Sequence, residues 1–562
     1  MKRLLALALL LLSANLARAQ DVSGDWQGTL DTGMGQLHLV LHITKAPDGA
    51  LKATLDSLDQ GANGIPVSSV TLKDSKLKLD VTAVHGTYDG QVQPDGKTIK
   101  GTWSQGRALP LDFVRTPIET EHKPAKPSDI DGAWMGTLDT GMAKLRVVFH
   151  IVNTEDGLIA TMDSPDQGAK GLPTTSVARN GSMLKIEAKR IGGSFEGTIA
   201  ADQSTIDGKW TQGGGTLPLL LKRVKDQAEL EPPKRPQNPV KPYPYRDEDV
   251  TYENKIQHVT LAATITIPPG KGPFPGAVLI TGSGPQDRDE TLLGHKPFLV
   301  LSDYLTRHGI VVLRADDRGT GKSTGVFPTA TTADFATDTE AGIAYLKTRP
   351  EVDPHKIGLI GHSEGGVIAP MIAARNKDVA FIVMMAGTGV PGDQVLVAQG
   401  EAIEIANGKS KEEAEKEAAK EREMVSLVET DKDQADLEKK LREKMTGQVP
   451  EAQIGMEIEQ LTSPWFRYFL TYDPATALRK VTCPVLVLNG SLDKQVLPDQ
   501  NLPAIRKALE EGGNRHFEVD ELQGLNHLFQ TAKTGSPLEY AQIEETISPV
   551  ALEKIANWIN QQ

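Results

Sequence analysis

Gly361-His362-Ser363-Glu364-Gly365-Gly366 sets a serine among small residues, between the apolar run Ile357-Gly358-Leu359-Ile360 and a helix-compatible stretch from Val367 to Ala374. A G-x-S-x-G segment between strand and helix makes a turn so tight that only small neighbours fit. The turn lifts the serine hydroxyl above the sheet, near a helix N-terminus. The chemistry this permits is nucleophilic attack. A serine hydroxyl is a poor nucleophile at neutral pH, so it needs a base within reach and a carboxylate to orient that base. The expected chain order is Ser, acid, His. Asp493 follows the apolar strand Val485-Leu486-Val487-Leu488, and His527 follows the last strand within Gly524-Leu525-Asn526-His527-Leu528. Both fall in loops at the edge of the sheet where Ser363 emerges. Asp473 and Asp520 compete as the acid. However, Asp473 precedes Pro474 at a helix start, where an Asp caps, and Asp520 ends its strand close before His527. Among the histidines, His516 begins a strand, and His362 sits inside the elbow, where packing or orienting suits it better than proton transfer.

A tetrahedral oxyanion needs two N–H donors. The backbone of Glu364, the residue after the nucleophile, is one. The loop Gly282-Ser283-Gly284-Pro285-Gln286-Asp287-Arg288-Asp289 supplies the other, from Ser283 or Gly284, because its glycines let the backbone approach closely. Gly319-Thr320-Gly321-Lys322-Ser323 is not a nucleotide-binding P-loop, since that motif needs Gly where this chain has Asp316. It reads as a structural loop, with Arg318 in a salt bridge to a nearby carboxylate.

The elements that must hold these residues alternate between strand and helix. Expected strands are Val259 to Ile267, Gly276 to Thr281, Ile310 to Ala315, Lys356 to Gly361, Ala380 to Met385, Pro484 to Asn489 and His516 to Val519. This alternation indicates a mostly parallel sheet with helices on both faces. Between the fifth and sixth of these strands lies an insertion, helical from about 392 to 470, rich in Ala, Glu and Lys. Its place above the sheet edge makes it a lid. Trp465, Phe466, Tyr468 and Phe469 are candidates to line an acyl pocket, and core packing accounts for them equally well.

Lys and Arg total 61 against 74 Asp and Glu in 562 residues, so no basic surface is available for nucleic acid. The single cysteine, Cys483, excludes an intrachain disulfide or a cysteine-built zinc site. Lys2 and Arg3, the apolar run Leu4 to Leu12 and Ala17-Arg18-Ala19 compose a signal peptide over residues 1–19, too short to span a bilayer. The expectation is an exported protein, periplasmic or secreted in a bacterium, with no membrane span.

Residues 20–118 and 128–226 form a tandem repeat. Trp26-Gln27-Gly28-Thr29-Leu30-Asp31-Thr32-Gly33-Met34 returns as Trp134-Met135-Gly136-Thr137-Leu138-Asp139-Thr140-Gly141-Met142, offset by 108. Asp56-Ser57-Leu58-Asp59-Gln60-Gly61-Ala62 and Gly101-Thr102-Trp103-Ser104-Gln105-Gly106 return at an offset of 107. Period-two alternation with Asp48-Gly49, Asp95-Gly96 and Asn180-Gly181 turns indicates small antiparallel, barrel-like domains. The shared Asp-Ser-x-Asp-Gln-Gly segment is either turn structure or a loop for a glycan or protein ligand. Trp26, Trp103, Trp134 and Trp210 are either core plugs or carbohydrate platforms. Residues 227–245 carry six prolines and read as a semi-rigid extended linker ahead of a catalytic domain at 246–562.

From Tyr245 onward the chain resembles the bacterial α/β-hydrolase esterases, those similar to the carboxylesterase EstD, and more loosely the serine aminopeptidase and acyl-peptide hydrolase relatives. Gly282 to Asp289, Arg314 to Ser323, the elbow, Asp493 and Asn526-His527 carry the resemblance. It implies an α/β-hydrolase fold with a helical cap, preceded here by two tandem all-β repeats. It further implies a Ser363-Asp493-His527 triad, no metal or organic cofactor, and hydrolysis of short-chain acyl esters. A peptidase acting on small peptides is the alternative. It requires a pocket carboxylate for a free amine or a gating domain, and neither is identifiable in the sequence.

Overall fold

In the catalytic domain, strands buried on both faces alternate which core they feed. Eight strands build the sheet: β1 (Arg246–Asn254), β2 (Val259–Ile267), β3 (Phe274–Ile280), β4 (Val311–Ala315), β5 (Val352–His362), β6 (Ile382–Met385), β7 (Val485–Gly490) and β8 (Phe517–Leu522). Their order is β1-β2-β4-β3-β5-β6-β7-β8. The pairs β1–β2 and β2–β4 are antiparallel, and every pair from β4 to β8 is parallel. Val485 and Val487 face one core together with Val278 and Ile280, whereas Leu486 and Leu488 face the other with Ala277 and Leu279. Each such side chain contributes roughly 1.5–3 kcal/mol by leaving water.

Among the described residues the helices are, in chain order, α1 (Pro297–Arg307), α2 (Thr332–Leu346), α3 (Gly365–Ala373), α4 (Gly392–Ala406), α5 (Lys411–Thr430), α6 (Gln434–Met445), α7 (Glu451–Thr462), α8 (Pro464–Thr471), α9 (Ala475–Leu478), α10 (Pro498–Glu511) and α11 (Pro549–Ile559). Helices α2, α3 and α10 cover one face of the sheet, and α1 and α11 the other. This is the α/β-hydrolase arrangement, with each parallel strand delivering its C-terminal end to one rim. The computed structural model describes residues 22–562 except 32–35, 47–49, 58–61, 74, 85, 106, 116–122, 124, 141–142, 214 and 448–450. Residues 1–19, read above as a signal peptide, and Thr32-Gly33-Met34, Asp48-Gly49, Leu58 to Gly61, Gly106 and Gly141-Met142 therefore lie outside the described residues. No helix among the described residues is long and apolar enough to cross a membrane.

Helices α4 to α8 lie between β6 and β7 and pack around their own core of Val425, Val428, Leu437, Leu441, Ile454, Ile458, Phe466 and Leu470. Local sequence fixes their starts. Ser410 and Glu413 form a capping box for α5, and the side chains of Asp433 and Ser463 accept backbone N–H bonds at the starts of α6 and α8.

Contacts divide the chain into two units, 1–121 and 122–562. The first holds a nine-stranded antiparallel sheet whose strands Gly24–Asp31 and Arg107–Arg115 pair and whose remaining strands run outward as meanders. Its two edges, Ala62–Val67 and Ser69–Lys73, are consecutive in the chain and do not pair with each other, so the sheet curls without full hydrogen-bonded closure. The second unit begins with a sheet of the same strand order, in which Gly132–Asp139 pairs with Gly215–Arg223. The tryptophans serve as core. Trp26 and Trp134 are wholly buried, donating Nε1–H to Val22 O (2.9 Å) and Ile130 O (2.8 Å), beneath Arg115 and Arg223. Trp103 and Trp210 are buried as well. The repeated acidic segment is also structural in its contacts. Asp56 and Asp163 each accept a 2.6 Å bond from a backbone N–H, of Gly64 and Gly171, and each faces a histidine, His42 and His150.

The proline-rich stretch is not a free spacer. Arg235 donates three 2.9 Å bonds, to the carbonyls of Ile543, Leu293 and Ala541, and Gln237 Nε2 bonds Ile547 O at 2.7 Å, strapping the segment to the catalytic domain. A planar guanidinium supplies several donors in a fixed fork, which composition alone does not reveal.

Candidate active site

Strand β5 ends at His362, and Ser363 takes φ +52°, a left-handed conformation that costs a non-glycine residue energy and marks functional turns. Two contacts hold the turn. Ser363 N–H bonds Met385 O (2.8 Å), and Gly366 N–H bonds Ser363 O (2.9 Å). The glycines are required by space. A Cβ on Gly361 would lie 1.9 Å from Gly365 O, one on Gly365 would lie 2.1 Å from Ile280 O, and one on Gly366 would lie 2.6 Å from the Gly387 Cα. The second of these approaches seats the elbow against the end of β3, beside the Gly282 loop. Gly365→Ala is therefore expected to lower the urea midpoint and activity together, at a cost of about 1–3 kcal/mol or more from overpacking. An unchanged midpoint with full activity would contradict this contact.

Asp493 follows β7 and is fully buried. Its Oδ1 accepts backbone bonds from Gln495 and Val496 (both 2.8 Å), and its Oδ2 lies 2.8 Å from His527 Nδ1. The His527 loop is fixed by Asn526, whose Oδ1 accepts from the N–H groups of Leu528 (3.0 Å) and Gln530 (2.9 Å). The two loops touch closely, since a Cβ on Gly490 would sit 2.2 Å from Leu525 O. A buried acid–imidazole pair is thus formed. Among the described residues no hydrogen bond of ordinary length joins Ser363 Oγ to His527. In unliganded sites this bond is often long and tightens with substrate. The His362 ring, one residue before the serine, lies 4.9 Å from the His527 ring between centroids.

The competing residues have other work. Asp473 Oδ1 caps its helix by accepting from Ala475 N (3.0 Å), and Asp520 pairs with Lys554 (2.7 Å) from within β8 rather than at its end. Arg318 pairs with Asp338 at 2.7 Å. Asp316 accepts from Lys322 N and binds Arg288 through two oxygens, so the glycine-rich loop after β4 is held by a carboxylate, and a Cβ on Gly321 would collide with it at 2.5 Å.

A cavity of about 190 Å³ opens beside Ser363, between the sheet rim and the inserted helices, with Ser283, Glu364, Leu396, Trp465, Phe466 and Phe469 among its walls. Ser283 thus faces the serine's cavity. Gly284, the other oxyanion candidate, lines a neighbouring cavity instead. Trp465 and Phe466 line the cavity as expected. Tyr468 does not. It stacks on Tyr472 and packs near Val367 and Met371 instead. On helix α8, Trp465 and Phe469 share a face and stack, and Tyr468 turns off that face.

The side chains of two acidic residues, Glu364 and Glu290, have roles that the sequence does not announce. Glu364 is buried, and burial pushes its carboxyl up despite hydrogen bonds from Thr332 Oγ1 (2.7 Å) and Trp465 Nε1 (2.8 Å). It is therefore a pocket carboxyl that ties an inserted helix to the nucleophile turn. Glu290 is buried at φ +53°, and its Oε1 accepts from Gly282 N (2.8 Å) and lies 2.9 Å from His362 Nδ1. No cluster of three or more His, Cys, Asp or Glu side chains among the described residues could hold a metal ion.

Residues 257–520 match the model of the X-Pro dipeptidyl-peptidase (S15 family). Esterase EstD of Thermotoga maritima is 28% identical over 323 residues, 57% of this chain and 69% of that protein. Among solved structures, an esterase of Pyrococcus furiosus aligns with 16% identity over 58% of this chain and 96% of its own (TM-score 0.36). A Butyrivibrio proteoclasticus protein with bound ferulic acid aligns with 17% identity over 56% and 96% (TM-score 0.33).

Proposed function

We propose that this chain, which resembles EstD-type α/β-hydrolase esterases across its catalytic domain, is an exported serine carboxylesterase that cleaves short-chain acyl esters through an acyl-enzyme. The observation that carries the reading is the buried 2.8 Å Asp493–His527 pair in the loop beside a strained serine elbow. Ser363 Oγ attacks the ester carbonyl as His527 Nε2 takes its proton. Asp493 stabilises the resulting imidazolium, and the N–H groups of Glu364 and Ser283 receive the oxyanion. Collapse expels the alcohol with the proton from His527, and water then repeats the sequence to release the acid.

The cavity walls set the substrate. Valines, Leu396 and aromatic rings line it beside glutamines, threonines and Glu364, and among the described residues no Lys or Arg does, so a neutral acyl group fits and an anionic one does not. The inserted helices act as the cap, with Trp465 and Phe466 against the acyl chain. On a p-nitrophenyl ester series, kcat/KM is expected to peak at short acyl chains and fall for long ones. A monotonic rise to long chains would overturn the assignment of this cavity.

A second reading, a peptidase acting on small peptides, draws on the match to the S15 family model and on Glu364, a carboxyl in the pocket able to meet a free amine. Aminoacyl-p-nitroanilides separate the two readings. Turnover of these above the esters would favour the peptidase.

Residues 1–19 support export, to the periplasm or outside the cell, and N-terminal sequencing is expected to begin near Gln20 rather than Met1. For the tandem repeats, a glycan or protein ligand remains a proposal, tested by retention of the full chain on cell-wall or glycan surfaces.

A further inference from the structure

His362 has an acceptor at each ring nitrogen. Nδ1 lies 2.9 Å from Glu290 Oε1, and Nε2 lies 3.0 Å from the backbone carbonyl of His527. A neutral imidazole carries one N–H and can satisfy one such partner, whereas an imidazolium donates to both. The same Glu290 oxygen accepts from Gly282 N–H at 2.8 Å, and Gly282 is close enough to the nucleophile that a Cβ there would sit 3.3 Å from Ser363 Cβ. One buried carboxylate–imidazolium pair therefore touches three catalytic loops at once: the oxyanion loop through Gly282, the elbow through His362, and the base loop through the carbonyl of His527 itself.

We propose that Glu290 and His362 form a positioning pair that sets the oxyanion donors, the nucleophile and the general base in mutual register. The inference rests on the serine-hydrolase reading above. Glu290 is held at a positive φ, as a residue over-determined by its surroundings would be. Ionised groups taken out of water persist only when paired. Burial would lower the His362 pKa, and the Glu290 carboxylate more than offsets it, raising the imidazole above its ordinary value, with a smaller push from Asp493. Besides these two, the His527 imidazole faces His362, the buried Asp317 carboxyl lies within electrostatic reach of Glu290, and Phe529 packs near the ring with its plane steeply inclined. The proton shared with Glu290 thus lies outside the reaction path, so neither residue gives or takes a proton during turnover.

Glu290→Gln keeps shape and removes charge. The expected result on p-nitrophenyl acetate is a kcat lower by about ten- to a hundredfold, the scale of an ångström-level misplacement, with KM near the wild-type value. The alkaline limb of the kcat profile is expected to move to lower pH, because His362 loses its partner and sheds its proton earlier. Glu290→Asp, which keeps charge but shortens the arm, is expected to retain the wild-type alkaline limb while losing part of kcat. A packing role alone would leave the limb in place in both variants. Wild-type kcat and pH profile in a folded Glu290→Gln, or a loss that only tracks the folded fraction, overturn the proposal. Should Glu290→Gln fail to fold, the same limb shift is read in His362→Asn, where the alkaline limb is expected to disappear and its persistence overturns the proposal. Absence of ester turnover in the wild type refutes the proposed function instead, so the two failures are distinct.

Discussion

Ser363→Ala is expected to lower ester turnover by as much as about a millionfold, the scale seen when a triad nucleophile is removed. The size follows from what the residue supplies. The elbow forces φ +52° on Ser363, and a Cβ on Gly361 or Gly365 would fall about where backbone oxygens already lie, so no other side chain can be moved into its place. Alanine keeps the turn, the oxyanion donors and the pocket but removes the oxygen that forms the acyl bond. Any residual rate should come from those donors acting on bound water. Steady-state kinetics with p-nitrophenyl acetate measure it, and a loss of less than tenfold would leave no room for an acyl-enzyme.

Asp493→Asn should cost about 10⁴ in kcat at neutral pH, the loss expected when the base is held in the wrong tautomer. Asp493 Oδ1 is fixed by two backbone N–H groups, so the amide oxygen of an asparagine takes that place and its NH₂ faces His527. Nδ1 must then accept, the ring proton shifts to Nε2, and the imidazole can no longer take the serine proton. Binding contacts in the Trp465-lined cavity are untouched, so KM should stay within a few-fold. Equal losses in kcat and KM, or a loss below about a hundredfold, would place the acid elsewhere.

The path of the fold was legible where burial is two-sided. The β7 residues Val485 to Leu488 are apolar without a break because alternate residues feed opposite cores, and their strand is recognisable within a residue. Strand β1 was missed. Arg246–Asn254 is an edge strand rich in charge, and edges favour such residues because they discourage pairing with other chains, which disguises them as loop. The antiparallel character of the two N-terminal sheets was legible from period-two alternation. The seam between Ala62–Val67 and Ser69–Lys73 was not, because it depends on sheet curvature.

At the site, the positions of Ser363, Asp493 and His527 after β5, β7 and β8 were legible because fold topology ties each to the end of a strand. Glu290 was not. Its role comes from a positive φ and from contacts to Gly282 and His362, and His362 is 72 residues distant, so no local pattern announces it. The available signal was His362 itself, a titratable ring directly before the serine in a turn whose Gly361, Gly365 and Gly366 must stay small. Tyr468 was misplaced for a related reason. Aromatic clustering in Trp465 to Phe469 identified the helix that meets the cavity but not which of its faces does so.

The most direct measurement is mass spectrometry of the native protein after reaction with a fluorophosphonate. A single stoichiometric adduct on the peptide bearing Ser363, formed in step with loss of esterase activity and absent after denaturation, is the predicted result. An active protein that takes up no label at Ser363, or that loses activity through an adduct at another residue, would contradict the serine mechanism.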